Sequence, residues 1–222
     1  MLNIILPKRL HGFTFIELLV ALVINLVLFG ALLTIFLSNV QQYWYTINVN
    51  QLNQQMQTAM MIMSDEIRRA GYWSNASSDL GSGTNHNPFM AAATDIAVGA
   101  GNNCIAFTYA AGGTGVLPAI TAGSDDDRYG FRLSGNILQE RPFGAPFGCS
   151  NIASTAWENV TDPNVIQVSA LTFTLNTSTI TAGVGTLIQR SVDISMTANL
   201  TSNSSITKTI TQHVRIMNDK FT

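Results

Sequence analysis

From Phe13 to Val40 the chain runs 28 residues with one charge, Glu17. A helix needs about 20 apolar residues to cross the hydrocarbon of a bilayer, and Phe13 to Leu37 supplies 25. Lys8 and Arg9 stand on the short flank, and the far flank carries no charge until Asp65. That asymmetry places the N-terminus in the cytoplasm and the bulk of the chain across the membrane. No convincing small-residue cleavage site follows the run around Ser38 to Gln42. An uncleaved single-pass anchor therefore fits better than an ordinary secretory signal. Glu17 is the anomaly, because an unpaired carboxylate in hydrocarbon is costly. Its presence points to a partner supplied by another molecule, and so to a membrane-fed assembly. The plainer alternative is a protonated or snorkelling side chain near the cytoplasmic edge.

The 222 residues less a 40-residue membrane segment leave about 180, enough for one modest domain with its own core. Eleven basic residues face 13 acidic ones, for a net charge of −2. No basic face is available to neutralise phosphates, so nucleic acid is not an expected partner. Cys104 and Cys149 are the two cysteines, with 44 residues between them. Beyond a membrane segment, such a pair reads as one disulfide in an oxidising compartment, worth about 4 kcal/mol by loop-closure entropy. Two buried free thiols are the alternative.

The segment Gly12-Phe13-Thr14-Phe15-Ile16-Glu17-Leu18-Leu19-Val20-Ala21-Leu22, behind Lys8 and Arg9, resembles the class III signal of type IV pilins and type II secretion pseudopilins. The resemblance implies that a prepilin peptidase cuts between Gly12 and Phe13 and methylates the new N-terminus at Phe13. Residues 1–12 would be the leader, and Glu17 the fifth residue of a 210-residue mature chain. In that family the carboxylate is thought to meet the amine of a neighbouring subunit. Glu17 also sits four residues, about 6 Å, along a helix from its own freed amine. Asn25 would either hydrogen-bond across helices or to its own backbone. Members of the family often carry a proline in this helix, and none occurs here between Pro7 and Pro88.

Tyr45, Val49, Leu52, Met56, Ala59, Met63, Ile67 and Ala70 keep a helical stripe. The spacing predicts one helix from Phe13 to about Ala70, membrane-embedded over 13–40 and periplasmic over 41–71, with Gly71 as its stop. Asp65 and Arg69, four apart, are a candidate ion pair. Tyr43, Trp44 and Tyr45 suit a membrane–water interface. Met63-Ser64-Asp65-Glu66-Ile67-Arg68-Arg69-Ala70-Gly71-Tyr72-Trp73 is similar to the helix end of PilW-type minor pilins, to which pseudopilin J of type II secretion is related. Residues 128–141 also look like that group. The resemblance covers residues 8–73 well and 104–217 loosely.

Residues 74–103, rich in Ser, Gly, Asn and Ala, read as a long loop with a short helix near Met90 to Ala93. Six strands are predicted: 104–110, 129–133, 137–141, 165–175, 187–200 and 206–217. Ser134-Gly135-Asn136 marks a hairpin between the second and third. The expectation is an α+β, pilin-like fold in which one antiparallel sheet, within a head of residues 72–222, covers the outer half of the helix.

His11, His86 and His213 form no metal or catalytic spacing, and no phosphate-cradling motif appears. No cofactor or enzymatic activity is expected. Asp125, Asp126 and Asp127 are the one acidic cluster: a solvated turn, or part of a Ca²⁺ shell. The resemblance implies a minor type IV pilin that primes or tips a growing pilus. It would reside in the bacterial inner membrane with a periplasmic head, then at the pilus base or tip. Its partners would be the prepilin peptidase, other minor pilins, the major pilin, the inner-membrane assembly platform and the lipid bilayer. A type II secretion pseudopilin and a tip module that binds a surface ligand are the competing readings.

Overall fold

Helix α1, Phe15–Arg68, is continuous for 54 residues, as a leucine- and methionine-rich segment without proline permits. The computed structural model describes residues 12–79, 87–91, 95–111, 127–141, 149, 157–183 and 185–221. Two compact units divide the chain after Ile47. In the first, every residue from Gly12 to Asn39 is exposed. That surface is apolar and long enough to cross a bilayer.

In the second unit, α1 buries Leu52, Met56, Ala59, Met60, Met63 and Ile67. Each fully buried large side chain contributes about 1.5–3 kcal/mol. The stripe anticipated from spacing is this core face. Its first two members lie outside it: Tyr45 is exposed and Val49 half-buried.

Among the described residues nine strands follow: β1 Ala97–Val98, β2 Cys104–Thr108, β3 Arg128–Ser134, β4 Ile137–Arg141, β5 Glu158–Asn159, β6 Ile166–Ala182, β7 Gly185–Leu200, β8 Thr207–Arg215 and β9 Lys220–Phe221. They build two antiparallel sheets rather than the single one expected. The first runs β1-β2-β3-β4-β5; the second runs β6-β7-β8, with β9 beside β7. The sheets separate because β4 is closed by two-residue β5, and the turn at Asp162 then redirects the chain into β6. Strands β1, β5 and β9 have two residues each, too few to show alternation.

Alternation is clean in β7, where Val192, Ile194, Met196, Ala198 and Leu200 are buried. Phe107, Phe131, Leu138, Val168, Phe173 and Val214 join them and the helix face in one core. The β3–β4 hairpin turns through Gly135 and Asn136, with φ of +57° and +64°. Left-handed backbone at both central residues is what a two-residue hairpin needs. The expected short helix near Met90 is a 3-10 turn, Pro88–Met90, capped by Asn87. Its anticipated continuation past Ala91 falls on 92–94, outside the described residues.

Candidate assembly site at the helix N-terminus

Helix α1 opens on Thr14. Glu17 Oε2 accepts hydrogen bonds from the Thr14 N–H and the Thr14 hydroxyl, both at 2.8 Å. The Thr14 hydroxyl in turn accepts from the Glu17 N–H at 3.4 Å. This is a reciprocal capping box: two donors that a helix start leaves without intrahelical partners are satisfied by side chains three residues apart. Thr14 is the functional residue that the reading of the sequence missed. Its signal, a threonine followed three positions later by glutamate ahead of an apolar run, was present in the residues. The sequence pointed to another molecule as the source of Glu17's partner, and here its own helix supplies one.

Gly12 has no heavy atom within 4 Å of where a Cβ would stand, and Phe13 is 91% exposed. Gly12, Phe13 and Glu17 thus lie within one exposed turn at the mouth of the apolar stretch. The candidate leader charges Lys8 and Arg9 lie outside the described residues, as do His11 and His86. Asn25 is exposed on α1.

At the other end of α1 a second cluster forms. Arg69 Nη1 lies 3.2 Å from Glu66 Oε1, not on Asp65. Glu66 also accepts the Tyr109 hydroxyl, and Arg69 sits 4.4 Å over the Tyr109 ring. Tyr109 and Tyr129 stack at 4.1 Å. An aromatic strand arriving beside Glu66 thus sets the pairing, which spacing along the helix could not foresee. Burial first, then the bond to Glu66, pushes the Tyr109 phenol far above its ordinary value. Burial, followed by the charges of Glu66 and Glu158, also raises the Glu140 carboxyl above 4.5.

Three tethers complete the helix exit. The Asn218 side-chain amide donates to the Arg69 and Ala70 carbonyls at 3.3 and 3.1 Å. The Met217 N–H donates to the Arg68 carbonyl at 3.1 Å. Gly71, at φ +74°, sends its N–H 2.7 Å to the Thr108 carbonyl of β2. Nearby, buried Arg190 pairs with Asp95 and donates to the Asn218 carbonyl, and Lys220 takes the other Asp95 oxygen at 2.9 Å. The buried charge is compensated on both sides.

Cys104 and Cys149 form a disulfide with Cα atoms 5.8 Å apart. Of the acidic cluster, Asp125 and Asp126 lie outside the described residues. Asp127 is buried at φ +54°, with its carboxylate accepting the Ala111 N–H at 3.0 Å. Among the described residues no three His, Cys, Asp or Glu side chains gather as a metal site. His213 Nδ1 lies 2.6 Å from Asp193 Oδ1 on the open face of β7 and β8. The bonds from His213 and Asn176 hold the exposed Asp193 carboxyl below 3.8.

The family model described as "Prepilin peptidase-dependent protein B" matches residues 46–216. The model described as "Prokaryotic N-terminal methylation motif" matches residues 7–35. Neither description is of an enzyme. No curated protein and no solved structure matches the chain.

Proposed function

Because the chain belongs to the prepilin peptidase-dependent protein B family, we propose that it is a minor type IV pilin of the PilW type, a priming or tip subunit of pilus assembly. Residues 1–12 are the leader, cut between Gly12 and Phe13, with Phe13 then methylated. Residues 13–40 anchor the precursor in the inner membrane, residues 41–71 carry the helix onward, and 72–222 form the periplasmic head. The prepilin peptidase processes the chain; minor pilins, the major pilin and the inner-membrane platform receive it.

One observation carries this reading. Within the stretch matched by the methylation motif, Glu17 stands five residues past Gly12 on the part of α1 that is apolar and exposed throughout, residues 15–39. An exposed Leu- and Phe-rich surface finds its environment in lipid or in other helices. A carboxylate at its mouth selects partners that bring a positive end, such as a freed α-amine. The capping box holds Glu17 until that partner arrives.

Mass spectrometry of the N-terminus from native membranes tests the processing: the expected form begins at methyl-Phe13, and a chain that still begins at Met1 inside normal pili refutes it. A bulky residue at Gly12 should leave an uncut, membrane-held precursor. Glu17→Val should be cut yet enter pili at a small fraction of the wild-type level, and equal incorporation would count against the pairing. Deletion separates the two kinds of assembly. Loss of pili supports the minor pilin, whereas loss of protein secretion with pili intact identifies a type II secretion pseudopilin.

A further inference from the structure

Strand β5 closes the first sheet with two residues, and they are not held alike. Asn159 faces Gln139, and Glu158 faces Glu140. Beyond Asn159 the chain is tied firmly to β4. The Val160 and Thr161 N–H groups donate to the Leu138 carbonyl at 2.9 and 3.4 Å, and the Leu138 N–H donates to the Thr161 hydroxyl at 3.1 Å. The Gln139 amide donates to the Asn159 side-chain oxygen at 3.0 Å. Alternate residues of a strand turn their backbone groups to the same neighbour. Glu158, like Val160, therefore turns its N–H to β4, and this is the last rung.

That rung sets two carboxylates side by side. Like charges directly opposite each other across a ladder are unfavourable. By alternation Glu140 shares its face with Leu138, Phe131 and Tyr129. Helix α1 brings Glu66 to the same face, and Glu66 is engaged by Tyr109 and Arg69. The titratable and charged groups facing Glu140 are thus Glu158, Glu66, Tyr109, Tyr129 and exposed Arg69. Arg128, Arg132 and Arg141 alternate to the opposite face, where Arg132 Nε donates to Gln139 at 3.0 Å. Among the described residues no cation pairs with Glu140 or Glu158.

Trp157, one residue earlier, is under a second tension. It is buried against the Gly130 backbone, with the Arg132 guanidinium 4.4 Å over its ring. Its indole N–H is buried and meets no acceptor among the described residues. An unpaired buried donor is costly, and opening this end would expose it to solvent.

We propose that the Trp157–Glu158 end of β5 is a pH-sensitive latch, closed on β4 when Glu140 is protonated and opened when Glu140 and Glu158 both carry charge. Val160 and Thr161 are the hinge. On the other side, Cys149 is tied to Cys104 of β2, which limits how far the end can travel. Opening hydrates Glu140, parts it from Glu158 and bares the edge of β4 there. Burial first, then the charges of Glu66 and Glu158, raises the Glu140 carboxyl above 4.5, so the closed state binds the proton more tightly. Its advantage is present below 4.5 and is lost as pH rises through the raised value.

Amide exchange of the detergent-solubilised full chain at pH 4 and pH 7, with the intrinsic pH dependence of exchange divided out, reads the latch. Protection of the Glu158 amide should fall about threefold from pH 4 to pH 7, while the Val160 amide, on the hinge, keeps its protection. Glu140→Gln should hold the Glu158 amide protected at both pH values. Glu158→Gln should shrink the fall at position 158 while the Glu140 carboxyl still titrates in carbon NMR spectra. No fall at Glu158, a fall of the same factor at Val160, or a fall that survives Glu140→Gln overturns the proposal. An undiminished fall in Glu158→Gln also overturns it, because hydration of Glu140 alone would then drive the opening.

Discussion

Thr14 and Glu17 show how one carboxylate can be tolerated twice over. It accepts two bonds from its own helix start, and in the proposed assembly a neighbouring amine would replace them. Thr14→Val keeps the backbone donor and loses the hydroxyl. It should cost the first turn about 1 kcal/mol, read as faster amide exchange at residues 15–18 in detergent, while Thr14→Ser leaves exchange unchanged. Glu140 works in the opposite sense. Its carboxyl is raised by burial and by Glu66 and Glu158, so the folded state holds the proton more tightly than the unfolded chain. Stability is therefore lost as pH rises from 4.5 through the raised value. Glu140→Gln should melt slightly higher than wild type at pH 7, and equally below pH 4.5. Thermal melts across pH 4–7 check this. Gly71 and the cysteine pair were legible from sequence because each breaks a local pattern. The choice of Glu66 over Asp65 for Arg69 was not, because Tyr109, 43 positions beyond Glu66, decides it.

At the level of elements, the helix and the long strands follow from periodicity. The far half of β6 was missed because Asn176 to Thr181 carry no alternation of apolar and polar residues, although their β-branched threonines favour strand. Two-residue strands leave no periodic trace at all. What terminates α1 is also nonlocal: a glycine halts it, but the Arg68, Arg69 and Ala70 carbonyls find their donors in Met217 and Asn218. Asn218→Ala should leave the Ala70 carbonyl to water, while the Arg69 carbonyl keeps the Tyr72 N–H, and cost about 1 kcal/mol. Denaturant melts of the detergent-solubilised chain should show it, with faster exchange at residues 68–72 locating the loss.

For the whole molecule, α+β class and an antiparallel head were readable, whereas the division into two sheets was not. Strand order depends on which edges close, and sequence carries that weakly. The covalent link was readable from the pair of cysteines. Replacing both Cys104 and Cys149 by serine should lower the unfolding free energy by about 4 kcal/mol, from release of a 45-residue separation in the unfolded chain. A drop below about 1 kcal/mol in denaturant melts would mean the loop is already constrained without the bond.

The clasp at the helix exit has a mechanical corollary. A pull on α1 reaches β2 and the segment beyond β8 directly, through main-chain oxygens at Arg68, Arg69 and Ala70 and the Gly71 amide. Load is shared between these polar links and the buried face from Leu52 to Ile67, which lies ahead of them on the same helix. In the proposed assembly, a helix drawn by its N-terminal end would carry the folded head as cargo, gripped along its buried face and again at its far end.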